Sequence, residues 1–143
     1  MLLGEHEHAL DEKNRLTLPA KLRGDFEDGV VVTRGLDGCL YAYPAPAWAQ
    51  LAERIQTLDP LAEDSRRMRR HFFSGAAHGE LDKQGRMVIP AALLEGAGIT
   101  REVTVAGVSD HLEIWDRAAW RAQMREVEGS AEHVAERLAS KRD

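Results

Sequence analysis

The sequence predicts an α+β protein in which one supersecondary unit occurs twice. Two observations lead to this prediction: a pair of self-similar segments, and short alternating apolar stretches followed by helical periods. The stretch ALDEKNRLTLPAKL (9–22) matches ELDKQGRMVIPAAL (80–93) at an offset of 71, and a second block matches at an offset of 72. One inserted residue explains the change of offset. We therefore expect two dissimilar copies of one unit, packed about a pseudo-twofold axis.

Each unit begins with two short strands on either side of a polar turn. The residues before Asp11 and Asp82 predict the first strand, and the alternation in RLTL and RMVI predicts the second. The turns contain Asn14 and Gly85, and both residue types tolerate a positive φ. A hairpin turn with a bulge is therefore predicted in each unit.

A short helix and two further strands follow each turn. Pro19 and Pro90 suit the first turn of a helix over AKLRGDF or AALLEGAG. These helices should end near Gly24 and between Gly96 and Gly98. The β-branched runs VVVT and VTV, then LYAY and LEIW, predict the strands.

Each unit closes with an amphipathic helix, which gives the order β-turn-β-α-β-turn-β-α. Its apolar positions recur at steps of three and four residues: Trp48, Leu51, Ile55 and Leu58 in the first copy, and Trp120, Met124 and Val127 in the second. On these apolar faces the tryptophans are expected to anchor the core or a subunit interface.

A basic linking helix and a polar tail complete the organisation. The stretch SRRMRRHFF predicts a helix with Met68, Phe72 and Phe73 facing inward and the arginines on a solvated face, and AEHVAERLASKRD predicts a tail that is weakly helical at most. The predicted divisions are residues 1–60 for the first repeat, 61–76 for the linking helix, 77–128 for the second repeat and 129–143 for the tail.

Composition limits the functional classes. The 19 basic and 24 acidic side chains give a net charge of −5, which disfavours a uniformly basic nucleic-acid coat but permits a local basic face. No stretch approaches the ~20 apolar residues of a membrane span, and MLLGEHEH turns acidic too early for a signal peptide. We therefore expect a cytoplasmic protein. The single cysteine, Cys39, lies in the apolar run CLYAY and is expected to be a buried thiol.

The most informative motif is Asp-x-x-x-Arg across each turn. A carboxylate there can accept hydrogen bonds from the turn N–H groups and orient the arginine on the returning strand. One such pair is more often a structural brace, because exposed ion pairs contribute about 0–1 kcal/mol. Two pseudosymmetric copies with basic side chains would instead present paired tips, and β-ribbons are one way of entering a DNA groove.

These motifs make nearly the whole chain resemble a known family. The resemblance rests on DEKNRLTLP and DKQGRMVIP at their 71-residue spacing, on LYAYPAPAW and LEIWDRAAW, and on the intervening RRMRRHFFSGA. They resemble the MraZ family, bacterial transcriptional regulators of the division and cell-wall cluster related to the AbrB and SpoVT swapped-hairpin DNA-binding domains. The resemblance implies an intrachain pseudodimer folded as a swapped-hairpin (double-split) β-barrel with peripheral helices. It also implies that subunits close into a ring.

The resemblance further implies a partner and a set of site residues. The partner is double-stranded promoter DNA, contacted by the Asp-x-x-x-Arg loops. Against the family pattern DxKGR, Asn14 replaces the glycine of the first copy, and Gln84 stands where the first copy has Lys13. The implied DNA-binding residues are Asp11, Lys13, Asn14 and Arg15 in the first copy, and Asp82, Lys83, Gln84, Gly85 and Arg86 in the second.

The predicted function is therefore sequence-specific transcriptional regulation without catalysis. We expect a nucleoid-associated repressor of its own division and cell-wall operon that acts at short repeated upstream boxes. No cofactor, metal, catalytic residue, membrane or small-molecule substrate is expected, because the sequence contains no HExxH, GxSxG, P-loop or dinucleotide fingerprint.

Two rival functions remain open on the sequence. The first is an antitoxin-like protein-interaction module, for which the acidic charge is the clue. The second is a small metallohydrolase using His6, His8 and His78, with Glu5, Glu7 and His71 as further ligands. Scattered histidines of this kind usually meet solvent, so the metal site is the less favoured hypothesis.

Overall fold

Within residues 1–141, the part of the chain that the computed structural model describes, the two repeats follow the predicted order of elements. The first repeat consists of β1 (Leu2–Ala9), β2 (Arg15–Thr17), α1 (Ala20–Arg23) with a 3-10 turn (Gly24–Phe26), β3 (Val30–Arg34), β4 (Leu40–Pro44) and α2 (Ala45–Gln56). The linking helix is α3 (Glu63–Phe73). The second repeat consists of β5 (Ala77–Gly79), β6 (Arg86–Val88), α4 (Ala91–Gly96), β7 (Glu102–Ser109), β8 (Leu112–Asp116) and α5 (Arg117–Ser140).

The strands form a six-stranded antiparallel sheet and a separate two-stranded ribbon. The order in the large sheet is β1-β7-β8-β4-β3-β5, and β2 pairs with β6 in the ribbon. Exchanging the equivalent strands of the two repeats converts this order into itself, so a pseudo-twofold axis passes between β4 and β8 and through the ribbon. The α+β class and the tandem repeats are confirmed. The large sheet is open, with β1 and β5 as its edges, and does not close on itself.

The strands on either side of each turn pair with the other repeat. β1 pairs with β7, β5 pairs with β3, and β2 pairs with β6. The prediction that each turn joins two strands of a local hairpin is therefore wrong beyond the turn itself. The physical reason is that the two strands diverge: one adds to the edge of the large sheet, and the other carries buried Leu16 or Met87 into the ribbon.

The hydrophobic core joins the large sheet to the underside of the ribbon. Leu16, Leu18 and Ile89 have no exposed surface, and they belong to the same buried cluster as Val32 and Val105 of the large sheet. Alternation along a strand then places the neighbouring side chains of the ribbon on its outer surface. The core therefore fixes which ribbon side chains face solvent.

The outer helices bury little. α3 lies against β3, where the Thr33 hydroxyl donates a 2.6 Å hydrogen bond to the Phe72 carbonyl. Phe72 is buried and Phe73 half-buried, as predicted, but Met68 is 36% exposed, so the prediction that it faces inward is wrong. Leu58 is also exposed, because α2 ends at Gln56.

The C-terminal segment is helical, and the prediction of a weakly helical tail is wrong for residues 131–140. α5 begins at an N-cap where Asp116 Oδ2 accepts from the Ala119 N–H at 3.1 Å, and it continues to Ser140. Ala, Glu, Arg and Leu have high helix propensity, so the helix continues although it buries no side chain fully. Residues 142 and 143 of the predicted tail lie outside the described residues.

No helix within residues 1–141 is long and apolar enough to cross a membrane.

Candidate nucleic-acid interface

The first tip (residues 11–15) is a closed turn built on one carboxylate. Asp11 Oδ1 accepts hydrogen bonds from the backbone N–H groups of Lys13 and Arg15, both at 2.9 Å. Asp11 Oδ2 accepts from Arg15 Nε at 2.6 Å. Asn14 has a φ of 58°, the positive value that the turn chemistry predicts. The carboxylate thus fixes both the turn and the arginine that leaves it.

The second tip (residues 82–86) repeats this geometry atom for atom. Asp82 Oδ1 accepts from the N–H groups of Gln84 and Arg86 at 2.9 Å, and Oδ2 accepts from Arg86 Nε at 2.7 Å. Gly85 supplies the positive φ, at 76°. We call the hydrogen bonds between the aspartate and the arginine of each tip the brace. Because the brace uses only the Nε of the guanidinium, the two terminal nitrogens remain able to donate two parallel hydrogen bonds.

The carboxylates of both tips are held in the charged state. The Arg15 backbone N–H, then the Arg15 side chain, lowers the pKa of Asp11 to about 2. The equivalent contacts, led by the Arg86 backbone N–H, lower the pKa of Asp82. Near neutral pH each tip therefore contains a complete ion pair.

The ribbon brings the two tips onto one surface. In its register Arg15 lies opposite Val88, and Thr17 lies opposite Arg86. Two further hydrogen bonds close the ribbon at both ends, from Leu18 N to Gly85 O and from Ile89 N to Asn14 O, at 2.9 and 3.0 Å. We call the four outward side chains, which are Arg15, Thr17, Arg86 and Val88, the outer ribbon face.

All nine residues implied by the family resemblance lie in the two tips at the ends of this ribbon. The arginines are about one quarter exposed, whereas Lys13, Lys83 and Gln84 are exposed. Gly85 is buried, so its contribution is to the backbone of the turn rather than to a contact surface. Thr17 and Val88 were not predicted as part of the surface, although alternation after Arg15 and Arg86 indicates that they share a face with them.

Arg23 is a further residue of this surface that the sequence analysis missed. Its Nε donates to the Leu18 carbonyl at 2.9 Å, and a Cβ built on Gly85 would overlap its guanidinium. Arg23 of the first repeat thus covers the turn of the second. The equivalent position in the second repeat is Leu94, which is buried. Because this contact joins the two repeats, no local sequence signal indicates it.

Three of the four arginines of the linking helix bind groups within residues 56–63. Arg66 donates to the Leu61 carbonyl at 2.9 Å, and Arg69 donates to the Gln56 carbonyl at 3.0 Å. Arg67 pairs with Glu63 at 2.9 Å. These contacts fit the predicted solvated helix face better than a second phosphate-binding strip.

Cys39 is buried, and the histidines considered as metal ligands are divided among separate elements of the fold. Cys39 is 3% exposed, and burial raises its pKa to about 12, so its thiol stays protonated. His6 and His8 lie in β1 and His78 in β5, at opposite edges of the sheet. Within residues 1–141 no group of three or more His, Cys, Asp or Glu side chains is placed to hold a metal ion.

Comparison with known families agrees with this duplicated architecture. The family model described as "MraZ protein, putative antitoxin-like" matches the chain twice, over residues 1–71 and 72–142. The two matches cover the two tips separately and together span nearly the whole sequence. This is a family of regulators rather than of enzymes. The chain therefore belongs to the MraZ family.

Proposed function

We propose that the protein is a sequence-specific DNA-binding transcriptional regulator that represses its own division and cell-wall operon. The observation that carries this proposal is the β2–β6 ribbon, which places two arginines with identical carboxylate braces on one outward surface. A two-stranded ribbon fits the major groove of B-DNA, and an oriented guanidinium can bind guanine O6 and N7 together.

The exchanged strands also support the swapped-hairpin arrangement that the family resemblance implies. Each repeat supplies one strand to the ribbon and one edge strand next to the other repeat. In this interpretation residues 1–60 and 77–128 are the two halves of one double-split barrel. Neither half would complete the DNA-binding surface by itself.

Repetition of the site is the second part of the proposal. The chain has a net charge of −5, and each tip contributes few basic side chains, so a single box should bind weakly. A closed ring of subunits would display the tips several times and raise their effective concentration on tandem boxes. Affinity should therefore rise steeply with the number of correctly spaced boxes.

The test combines binding and mass. The protein is titrated in gel-shift and footprinting experiments onto DNA from upstream of its own gene, with one, two, three or four boxes. Light scattering at micromolar protein measures the subunit number. Equal affinity for one box and four boxes would refute the multivalent mechanism, and a strictly monomeric mass would refute the ring. No binding at any box number would refute the DNA-binding function.

An antitoxin-like interaction module is the alternative that the family description and the acidic charge favour. In that case the tips would contact a protein partner rather than DNA. A partner that is co-purified with the wild type and lost with Arg15→Ala, together with absent DNA binding, would select this function.

A further inference from the structure

The outer ribbon face contains an apolar side chain between its two arginines. Val88 is 65% exposed, lies opposite Arg15 and follows Arg86 by two positions on the same face of β6. Single exposed apolar residues are common and need no explanation by themselves. Val88 differs because the ribbon is only three residue pairs long, so the side chain lies directly beside both arginines of the outer ribbon face.

The pseudo-twofold axis relates Val88 to a residue of a different type. Its equivalent in the first repeat is Thr17, which lies opposite Arg86. The outer ribbon face therefore presents arginine symmetrically but presents valine on one side and threonine on the other. Valine offers only methyl groups, whereas threonine offers a methyl group and a hydroxyl. The two ends of the ribbon can therefore make different contacts.

We propose that Val88 is a specificity-determining residue that packs against the C5 methyl group of a thymine beside the base contacted by Arg15. This inference rests on the DNA-binding function proposed above. In the major groove the thymine methyl is the apolar group that a base edge presents, and apolar side chains contact it. Because Thr17 replaces Val88 at the other end, the preferred box is asymmetric even though both arginines recur.

The experiment removes the C5 methyl groups of the thymines without changing base pairing. The upstream DNA fragment is amplified once with dTTP and once with dUTP, because uracil pairs as thymine does but lacks the C5 methyl. For each buried methyl contact the wild type should bind the uracil fragment about four-fold more weakly. We call the loss of affinity on replacing thymine by uracil the uracil penalty. Val88→Ala should bind the thymine fragment more weakly than the wild type does, and its uracil penalty should be smaller by the contribution of this one contact, about four-fold.

Two further variants keep the experiment decisive. Val88→Thr preserves the β-branched side-chain shape and one of the two methyl groups, so it should fold and show a penalty between those of the wild type and Val88→Ala. Val108→Ala removes an exposed valine that is paired with Leu3 at the far end of β1, and it should keep the full penalty.

The outcomes separate this inference from the proposed function. If the wild type binds both fragments equally, or if Val88→Ala keeps the wild-type penalty, the Val88 inference is wrong while DNA binding stands. If the wild type does not bind the thymine fragment, the proposed function fails instead. Replacing single thymines by uracil then identifies the position whose penalty is lowest in Val88→Ala relative to the wild type.

Discussion

The first and second tips share their backbone geometry, their aspartate and their arginine but differ at all three residues between the two. Both close on an aspartate that accepts two N–H groups and one Nε. Residues 11–15 contain two acidic and two basic side chains, whereas residues 82–86 contain one acidic and two basic ones. Arg23 adds a third cation to the second tip. The two tips therefore have the same hydrogen bonds between aspartate and arginine, but they present differently charged surfaces to a ligand.

The largest expected effect tests whether Arg15 and Arg86 contribute equally to DNA binding. Arg15→Ala and Arg86→Ala should each weaken binding to upstream DNA by about 1–3 kcal/mol per bidentate contact, multiplied where the assembly repeats the site. The measurements are gel-shift affinity at several salt concentrations, melting temperature and subunit number. Folded variants with weaker binding and a shallower salt slope support a DNA contact.

The contrary result for these variants is equally specific. If Arg15→Ala binds normally but melts early, the Asp-x-x-x-Arg pair is a brace alone. The DNA-binding surface would then have to be sought at Arg66 to Arg70.

The second prediction exchanges the residues that supply the positive φ. Gly85→Asn should lower the free energy of unfolding by about 1–2 kcal/mol, because its Cβ displaces Arg23 from Gly85 and breaks the hydrogen bond to Leu18. Asn14→Gly should change stability by less than about 1 kcal/mol, since Asn already tolerates this φ. Thermal unfolding monitors both variants.

A double variant isolates the cause. In an Arg23→Ala background the Gly85→Asn substitution should cost much less, because the guanidinium that it would displace is absent. If Gly85→Asn lowers the free energy of unfolding equally in both backgrounds, backbone strain at position 85, and not Arg23, makes the second tip less tolerant of asparagine than the first.

The contact of Arg23 with the second tip also shows that contacts between the repeats, unlike those within a turn, are not predictable from the local sequence. The turns were predictable because Asp11, Asn14 and their equivalents act within five residues, through hydrogen bonds whose partners are fixed by the local chain. The pairing of β2 with β6 was not, because alternation specifies which face of a strand is buried and not which strand lies beside it. Arg23 became part of the second tip only through that pairing.

The helices show the same division. The period of α3 identified a helix and the buried Phe72, but not the exposure of Met68, which depends on how much of α3 the sheet covers. The final turns of α5 bury no side chain fully, so apolar periodicity gave no evidence for them. Their helix propensity was the signal that remained.

The third prediction concerns the charges that differ. Glu12→Lys adds positive charge to the first tip, and Lys83→Glu removes it from the second. If both tips approach phosphates, Glu12→Lys should steepen the dependence of log affinity on log salt by up to about 1, and Lys83→Glu should flatten it by about the same amount. Both side chains are exposed, so melting temperatures should stay close to that of the wild type. A salt slope unchanged by either variant would show that phosphates do not approach these positions.

The smallest expected effect tests the part that the tips share. The pKa of Asp11 is lowered from an ordinary value near 4 to about 2, so the brace stabilises the folded protein fully above pH ~4 and loses this contribution as pH falls towards 2. Asp11→Asn should therefore melt below the wild type at neutral pH, and the difference should shrink between pH 4 and pH 2. Because the pKa of Asp82 is lowered by the same contacts, Asp82→Asn should show a difference of the same sign. A difference that persists unchanged at pH 2 would mean that the carboxylate charge does not stabilise the turn, and the identical geometry of the two tips would then rest on backbone shape alone.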